Sequence, residues 1–160
     1  MSELTIEANT SVYIFKDADD NFKYIKDNDS ASTINSTNWP VIIKGNGVNI
    51  LTVTFKSGIT FNDDKHFFKC GSDNIQFGNN EKTTINLDTI TNYLGLIQNG
   101  NINVNGNGKS NITIKNLDIS GTSTTTIAQN GGGIAQSFFG KGNGPNSTIR
   151  IDGCSCNINT

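Results

Sequence analysis

An eight-residue pattern occurs twice in this chain, the second copy displaced by a constant 37 positions. Ile112, Ile114, Leu117 and Ile119 fall on Ile149, Ile151, Cys154 and Cys156, so each apolar position meets an apolar residue or a cysteine. Both copies break their alternation at one place, Lys115-Asn116 in the first and Asp152-Gly153 in the second. Two inward residues, a corner and two further inward residues describe a strand that bends onto a second face. A fixed internal period of this size is the mark of stacked repeats, each unable to bury its apolar face alone. The offset is expected to hold two coils of roughly 18–20 residues each, with Ile127 to Phe139 supplying the one between.

The rest of the chain from about residue 41 follows the same grammar. Short stretches with apolar residues two apart include Val41 to Ile43, Ile50 to Phe55, Ile59 to Phe61, Phe67 to Cys70, Asn74 to Phe77, Thr84 to Leu87, Leu94 to Ile97 and Ile102 to Val104. That spacing is the period of a half-buried strand. Between them lie Gly and Asn clusters, residues that tolerate positive φ and so make turns. Asn, Ile, Thr and Gly account for about half of the chain, and all four rank low in helix propensity. A meander of hairpins would show the same alternation, but hairpins favour two-residue Asn-Gly turns between strands of equal length. Irregular turns, very short strands and paired inward residues favour an all-β, right-handed parallel β-helix, a solenoid; a sandwich or jelly roll is the alternative. Exposed Asn and Thr would then stack into ladders from coil to coil.

Residues 1–40 read as an N-terminal capping and strand segment, and 41–160 as the coils. Leu4 to Ile6 and Val12 to Phe15 look like strands, followed by a charged stretch holding Phe22, Tyr24 and Ile25, then Trp39-Pro40. Such a cap is needed because an open first coil exposes apolar surface and unpaired edges. The far end lacks an equivalent, so either the solenoid continues in a longer chain or a partner covers its last coil.

Function is much fainter. With a formal charge of −2 and scattered basic residues, the chain has no basic footprint for nucleic acid. No run approaches 18 apolar residues, so no transmembrane helix and no membrane partner are expected. The start has neither a basic n-region nor an apolar h-region, so secretion through a signal peptide is not expected. Three cysteines, Cys70, Cys154 and Cys156, are expected to be reduced, small, buried apolar residues. One histidine, His66, and no CxxC pair leave no zinc set.

Glycosidases need two carboxyl groups about 5–10 Å apart. Asp63-Asp64, with His66 nearby, is the best local cluster, but adjacent strand residues point to opposite faces. Asp63 and Asp88, from separate coils, are the best remaining pair. Asp17 to Asn21 resembles the opening of a calcium loop, but the pattern wants Gly sixth and Glu twelfth, where Phe22 and Asn28 stand. Gly106 to Ser110 imitates the end of a phosphate loop, with Asn103 in place of its first Gly and a strand where a helix should follow. Thr122 to Thr126 occurs once and reads as a polar loop. No catalytic residue, metal or cofactor is assigned. Phe138 and Phe139, beside Gly131 to Gly133, are candidate contact points for another protein, as is Ile158 in the last coil.

The pattern resembles the right-handed parallel β-helix proteins of the pectate-lyase-like superfamily. The block Ile127 to Gly142, followed by Ile149 to Cys156, looks like repeats in large β-helix proteins of giant amoeba-infecting DNA viruses. The resemblance covers about residues 41–160 and implies a non-enzymatic structural module of a virion, in the capsid layer or a fibre, made in the host cytoplasm. Its partners would be other coat proteins or copies of itself. A carbohydrate-binding or carbohydrate-cleaving β-helix is the alternative, favoured if outward aromatics stand beside a carboxylate groove.

Overall fold

The computed structural model describes residues 2–100, 108–137, 139 and 148–158. Among them there is no α-helix, and the strands run β1 (Thr5–Glu7), β2 (Ser11–Lys16), β3 (Phe22–Lys26), β4 (Ser32–Thr33), β5 (Val41–Lys44), β6 (Leu51–Phe55), β7 (Ile59–Phe61) and β8 (Phe68–Cys70). They continue as β9 (Ile75–Phe77), β10 (Thr83–Leu87), β11 (Ile97–Gln98), β12 (Ile112–Lys115), β13 (Leu117–Gly121), β14 (Ile149–Asp152) and β15 (Ser155–Asn157). A short 3-10 turn, Ser36–Asn38, precedes β5. The expected strand Ile102 to Val104 lies outside the described residues.

Three sheets result. The first orders β1-β5-β8-β11, the second β14-β12-β9-β6-β2-β3-β4, and the third β15-β13-β10-β7. Pairing is parallel throughout, except that β3 runs antiparallel to both β2 and β4. From β5 onward the chain visits the first, second and third sheets in that order, then begins again one strand further along. β5, β6 and β7 form one circuit; β8, β9 and β10 the next; β11, β12 and β13 the third. The fourth passes the first sheet through two isolated bridges, Tyr93 with Ile127 and Ile97 with Ala135, and then enters β14 and β15.

The repeat offset therefore spans one circuit, not two. Ile112 and Ile149 are Cα partners in adjacent strands, as are Ile114 and Ile151, and Ile119 and Cys156. The two-coil expectation fails because each circuit threads three strands and loops of uneven length, which uses the whole interval in one pass. The segment expected to form a separate coil, Ile127 to Phe139, instead bridges to the preceding circuit at Ile127 and Ala135, on the first-sheet side of the fourth circuit. At the other end β1 and β2 already pair in parallel with β5 and β6, so these two strands belong to the same sheets as the later ones. The remainder of 1–40 supplies β3, β4 and the 3-10 turn.

Parallel stacking in register sets like side chain above like, and the interior is a set of rows. Val12, Val53, Phe77 and Ile114 follow one another in the second sheet, each with no exposed surface. Leu51, Ile75 and Ile112 make the neighbouring row. Burying each such side chain contributes about 1.5–3 kcal/mol. The corners explain the asparagine bias. Asn74 and Asn111 hold φ 60 and 57, Asn116 and Gly153 hold φ 53 and 63, the left-handed region where Asn and Gly are least strained. Asn111 Nδ2 donates to Asn74 Oδ1 at 2.9 Å, a ladder rung 37 residues apart. Ser110 N–H donates to Asp73, and Ser155 Oγ to Asp118, across the same interval.

Candidate functional site

The acids are where chemistry would have to come from, and four of them, Asp17, Asp27, Asp63 and Asp73, accept backbone N–H groups. Asp27 accepts the N–H groups of Asn9, Thr10 and Ser11 and the Thr10 hydroxyl, which ties β3 to the turn before β2. The Asn9 N–H heads that set, and together the donors hold the carboxyl down at about 2. Asp17 accepts N–H groups from Asp19 and Asn21 and lies 3.7 Å from Lys23 Nζ. That closes the segment resembling a calcium loop onto itself. Among the described residues, no three His, Cys, Asp or Glu side chains converge on a metal-sized site.

Asp63 and Asp64 depart from expectation. They sit in a turn after β7, not in a strand, so the opposite-face argument does not apply, and the two carboxyls act on each other's titration. The Lys65 N–H donates to Asp63 and lowers its pKa, while burial and the neighbouring Asp63 raise that of Asp64. His66 does not complete a catalytic set with them. Its Nδ1 accepts the Asn62 N–H at 3.2 Å, and its ring packs on Trp39 at 4.6 Å, Phe22 at 5.0 Å and Phe61 at 6.1 Å. Burial pushes its pKa to about 4, so at neutral pH it is an uncharged core ring with its lone pair engaged. The Tyr93 hydroxyl donates to the His66 carbonyl at 2.7 Å and locks the same turn.

Asp88 lies in a groove of about 230 Å³ on the outer face of the third sheet, with Thr60, Asn86, Ser120 and Thr122. Asp63 is not in its wall. No second carboxylate lines this groove among the described residues, so it does not present the acid pair that glycoside hydrolysis requires. Thr122 to Thr126 is an exposed polar loop pinned at one residue: buried Thr125 donates its hydroxyl to the Leu87 carbonyl and accepts the Thr122 N–H.

Cys70 is buried, and burial pushes its thiol pKa up. Cys154 is half-buried and Cys156 exposed, against the expectation that all three are buried. The reason is positional: they continue the inward rows of Leu117 and Ile119 into the fourth circuit, with no further circuit beyond them in the described structure. Phe139 and Ile158 are half-buried against the core, and Phe138 lies outside the described residues.

Three exposed features lie outside the sequence expectations. Tyr13 and Phe15 point outward from β2 and stack at 5.5 Å. Period-two alternation around buried Val12 and Ile14 was the available signal. Val48 and Ile50, 80% and 63% exposed, stand on a turn held by Asn46 and Asn74. A cleft under Trp39-Pro40 had no signal, because its walls come from residues more than 60 positions apart in the chain. No protein-family model matches the chain, and neither a curated protein nor a solved structure does.

Proposed function

We propose that the chain is a right-handed parallel β-helix whose role is structural, a module of a virion coat or fibre that assembles with other coat proteins or with copies of itself. The observation that carries this reading is the fourth circuit. Ile151 extends the row of Val12, Val53, Phe77 and Ile114, yet it is 48% exposed where the other four are dry. An apolar row beside an unpaired strand edge is an association surface. The layer that covers it, in this polypeptide or another, would make the module part of a larger body. Ladders of short polar side chains on the outer faces, and the four acids Asp17, Asp27, Asp63 and Asp73 that accept backbone N–H groups, support a scaffold. The virion setting rests on the resemblance of residues 127–142 and 149–156 to viral repeats.

The test is size fractionation of native source material with the chain followed by mass spectrometry. Co-migration with a large particle at fixed stoichiometry is expected. Migration as a free protein near 17.2 kDa sinks the reading. The outward pair Tyr13 and Phe15 favours a second reading, a carbohydrate-binding face on the second sheet, because sugar rings stack on exposed aromatics. Binding on a glycan panel that is lost in Tyr13→Ala would establish it.

A further inference from the structure

The outer edge of β14 carries a self-complementary pattern. Among the described residues, β14 pairs on one side alone, with β12. Along a strand, alternate residues point their backbone groups to opposite edges. The Thr148 and Asp152 carbonyls accept the Ile112 and Asn116 N–H groups, so the even-numbered residues of this strand face β12. Ile151, between them, turns its N–H and carbonyl to the other edge. Its side chain ends an apolar row and is 48% exposed. Arg150 and Asp152 flank it on the outer face, with Arg150 Nη2 3.0 Å from Asp152 Oδ2.

The first circuit of another copy offers no matching edge in the second sheet, because β3 already lies on β2 and β4 lies beyond it. A second β14 does offer one, antiparallel about a two-fold axis, and the charges choose the register. With the axis at Arg150 or Asp152, like charges stand opposite each other, which is destabilising. With the axis at Ile151, Arg150 of each copy faces Asp152 of the other. The ion pair within each copy and the pairs between copies then make a ring of four alternating charges. The two Ile151 residues exchange both N–H···O bonds, and their exposed side chains meet. We propose that two copies of this chain associate head to head through β14, antiparallel about a two-fold axis at Ile151. The second sheet continues from one copy into the other, and the two-fold axis closes the pair, so no filament grows. This pairing rests on the reading of the chain as a module that assembles, and adds the surface, the register and the stoichiometry.

Sedimentation equilibrium of the full chain measures the association, with thiols kept reduced so that the free cysteines form no crosslink. A monomer–dimer equilibrium is expected, with a Kd of about 10 µM for so small a contact. Arg150→Asp puts a second carboxylate opposite Asp152 of the other copy, and Asp152→Arg puts a second guanidinium opposite Arg150. Each variant alone should dimerise more weakly by about tenfold or more. Mixed in equal amounts, the two variants restore both opposite-charge pairs, and the mixture should dimerise within about threefold of the wild type. The Ile151 N–H should exchange slowly in the wild-type dimer and fast in the monomer, a readout that needs no variant. A wild-type chain that stays monomeric at about 1 mM overturns the pairing, and the assembly reading then stands or falls separately on co-migration with a large particle. A mixture no tighter than its components, single variants that dimerise like the wild type, an unprotected Ile151 N–H in the dimer, or growth beyond a dimer would each overturn it too.

Discussion

At the first circuit, Phe22, Ile34 and Trp39 lie over the ends of the inward rows and are 9%, 3% and 6% exposed. Trp39 meets Phe68 edge-on at 5.5 Å, and Phe22 stacks on Phe61 at 5.4 Å. At the fourth circuit the same rows end in Ile151, Cys154 and Cys156, with β15 exposed at every residue. The alternation in the two regions is alike; what differs is whether a further layer lies on top. A residue in such a stack is buried by its neighbouring circuits, so its energetic weight is a property of its layer as much as of its identity.

Substituting along one row isolates that effect with chemistry held constant. Ile114→Ala leaves a cavity between two strands and should destabilise by about 2–5 kcal/mol. Ile151→Ala, already half in water, should cost about 1 kcal/mol or less. Denaturant unfolding of both variants measures the gap. Equal losses would mean that Ile151 is covered in solution, which points to self-association, and sedimentation at rising concentration would show it.

The corner glycines sharpen the same contrast at the backbone. Gly78 holds φ +90, and a Cβ there would press into the Lys115 carbonyl oxygen of the adjacent circuit, so Gly78→Ala should cost about 2–3 kcal/mol. Gly47 holds φ +76 on the Val48 turn with nothing within 4 Å, and Gly47→Ala should cost only the left-handed strain, about 1 kcal/mol. Thermal unfolding of the pair separates interlayer contact from intrinsic strain.

The periodicity announced the strands well. Ile112 over Ile149 and the corner at Asn116 and Gly153 were legible because parallel stacking copies a residue's environment from circuit to circuit. The number of coils within the offset was not legible, since loops of unequal length conceal how many strands one circuit threads. The strand geometry applied to Asp63 and Asp64 fails because they sit in a local turn, closed by the Lys65 N–H bond to Asp63 and the His66 N–H bond to the Asp63 carbonyl; what the sequence hid is the distant brace, the Tyr93 hydroxyl bond to the His66 carbonyl. Long-range assembly also hid the cleft, whose Glu3 and Lys69 are 66 positions apart.

Acid should act on the first circuit before the fourth. His66 has a folded pKa near 4 against 6.5 for the free side chain, so the unfolded chain binds the proton first. Its contribution is whole above about 6.5 and declines as pH falls towards 4. Asp27, held at about 2 against 3.8, adds stability above 3.8 that is lost between there and 2. Both losses run in the acid direction through separate windows. Unfolding midpoints from pH 7.5 to 4.5 should fall for the wild type and stay nearly flat for His66→Gln. A slope that persists in the variant would assign the titration elsewhere.

The smallest expected effect tests the ladder at the middle of the stack. Asn111 does two things: it occupies φ 57, and its side chain donates to Asn74 Oδ1. Asn111→Gly keeps the left-handed conformation free of strain and loses only the rung, a net of about 0.5–1 kcal/mol. Asn111→Ala loses the rung and forces a Cβ-bearing residue without a local hydrogen bond into that region, so it should cost about 1 kcal/mol more than the glycine variant. If the two variants unfold at the same denaturant concentration, the asparagine is there for the rung alone. If glycine matches the wild type, the rung contributes nothing measurable, and the corner chooses asparagine for its backbone.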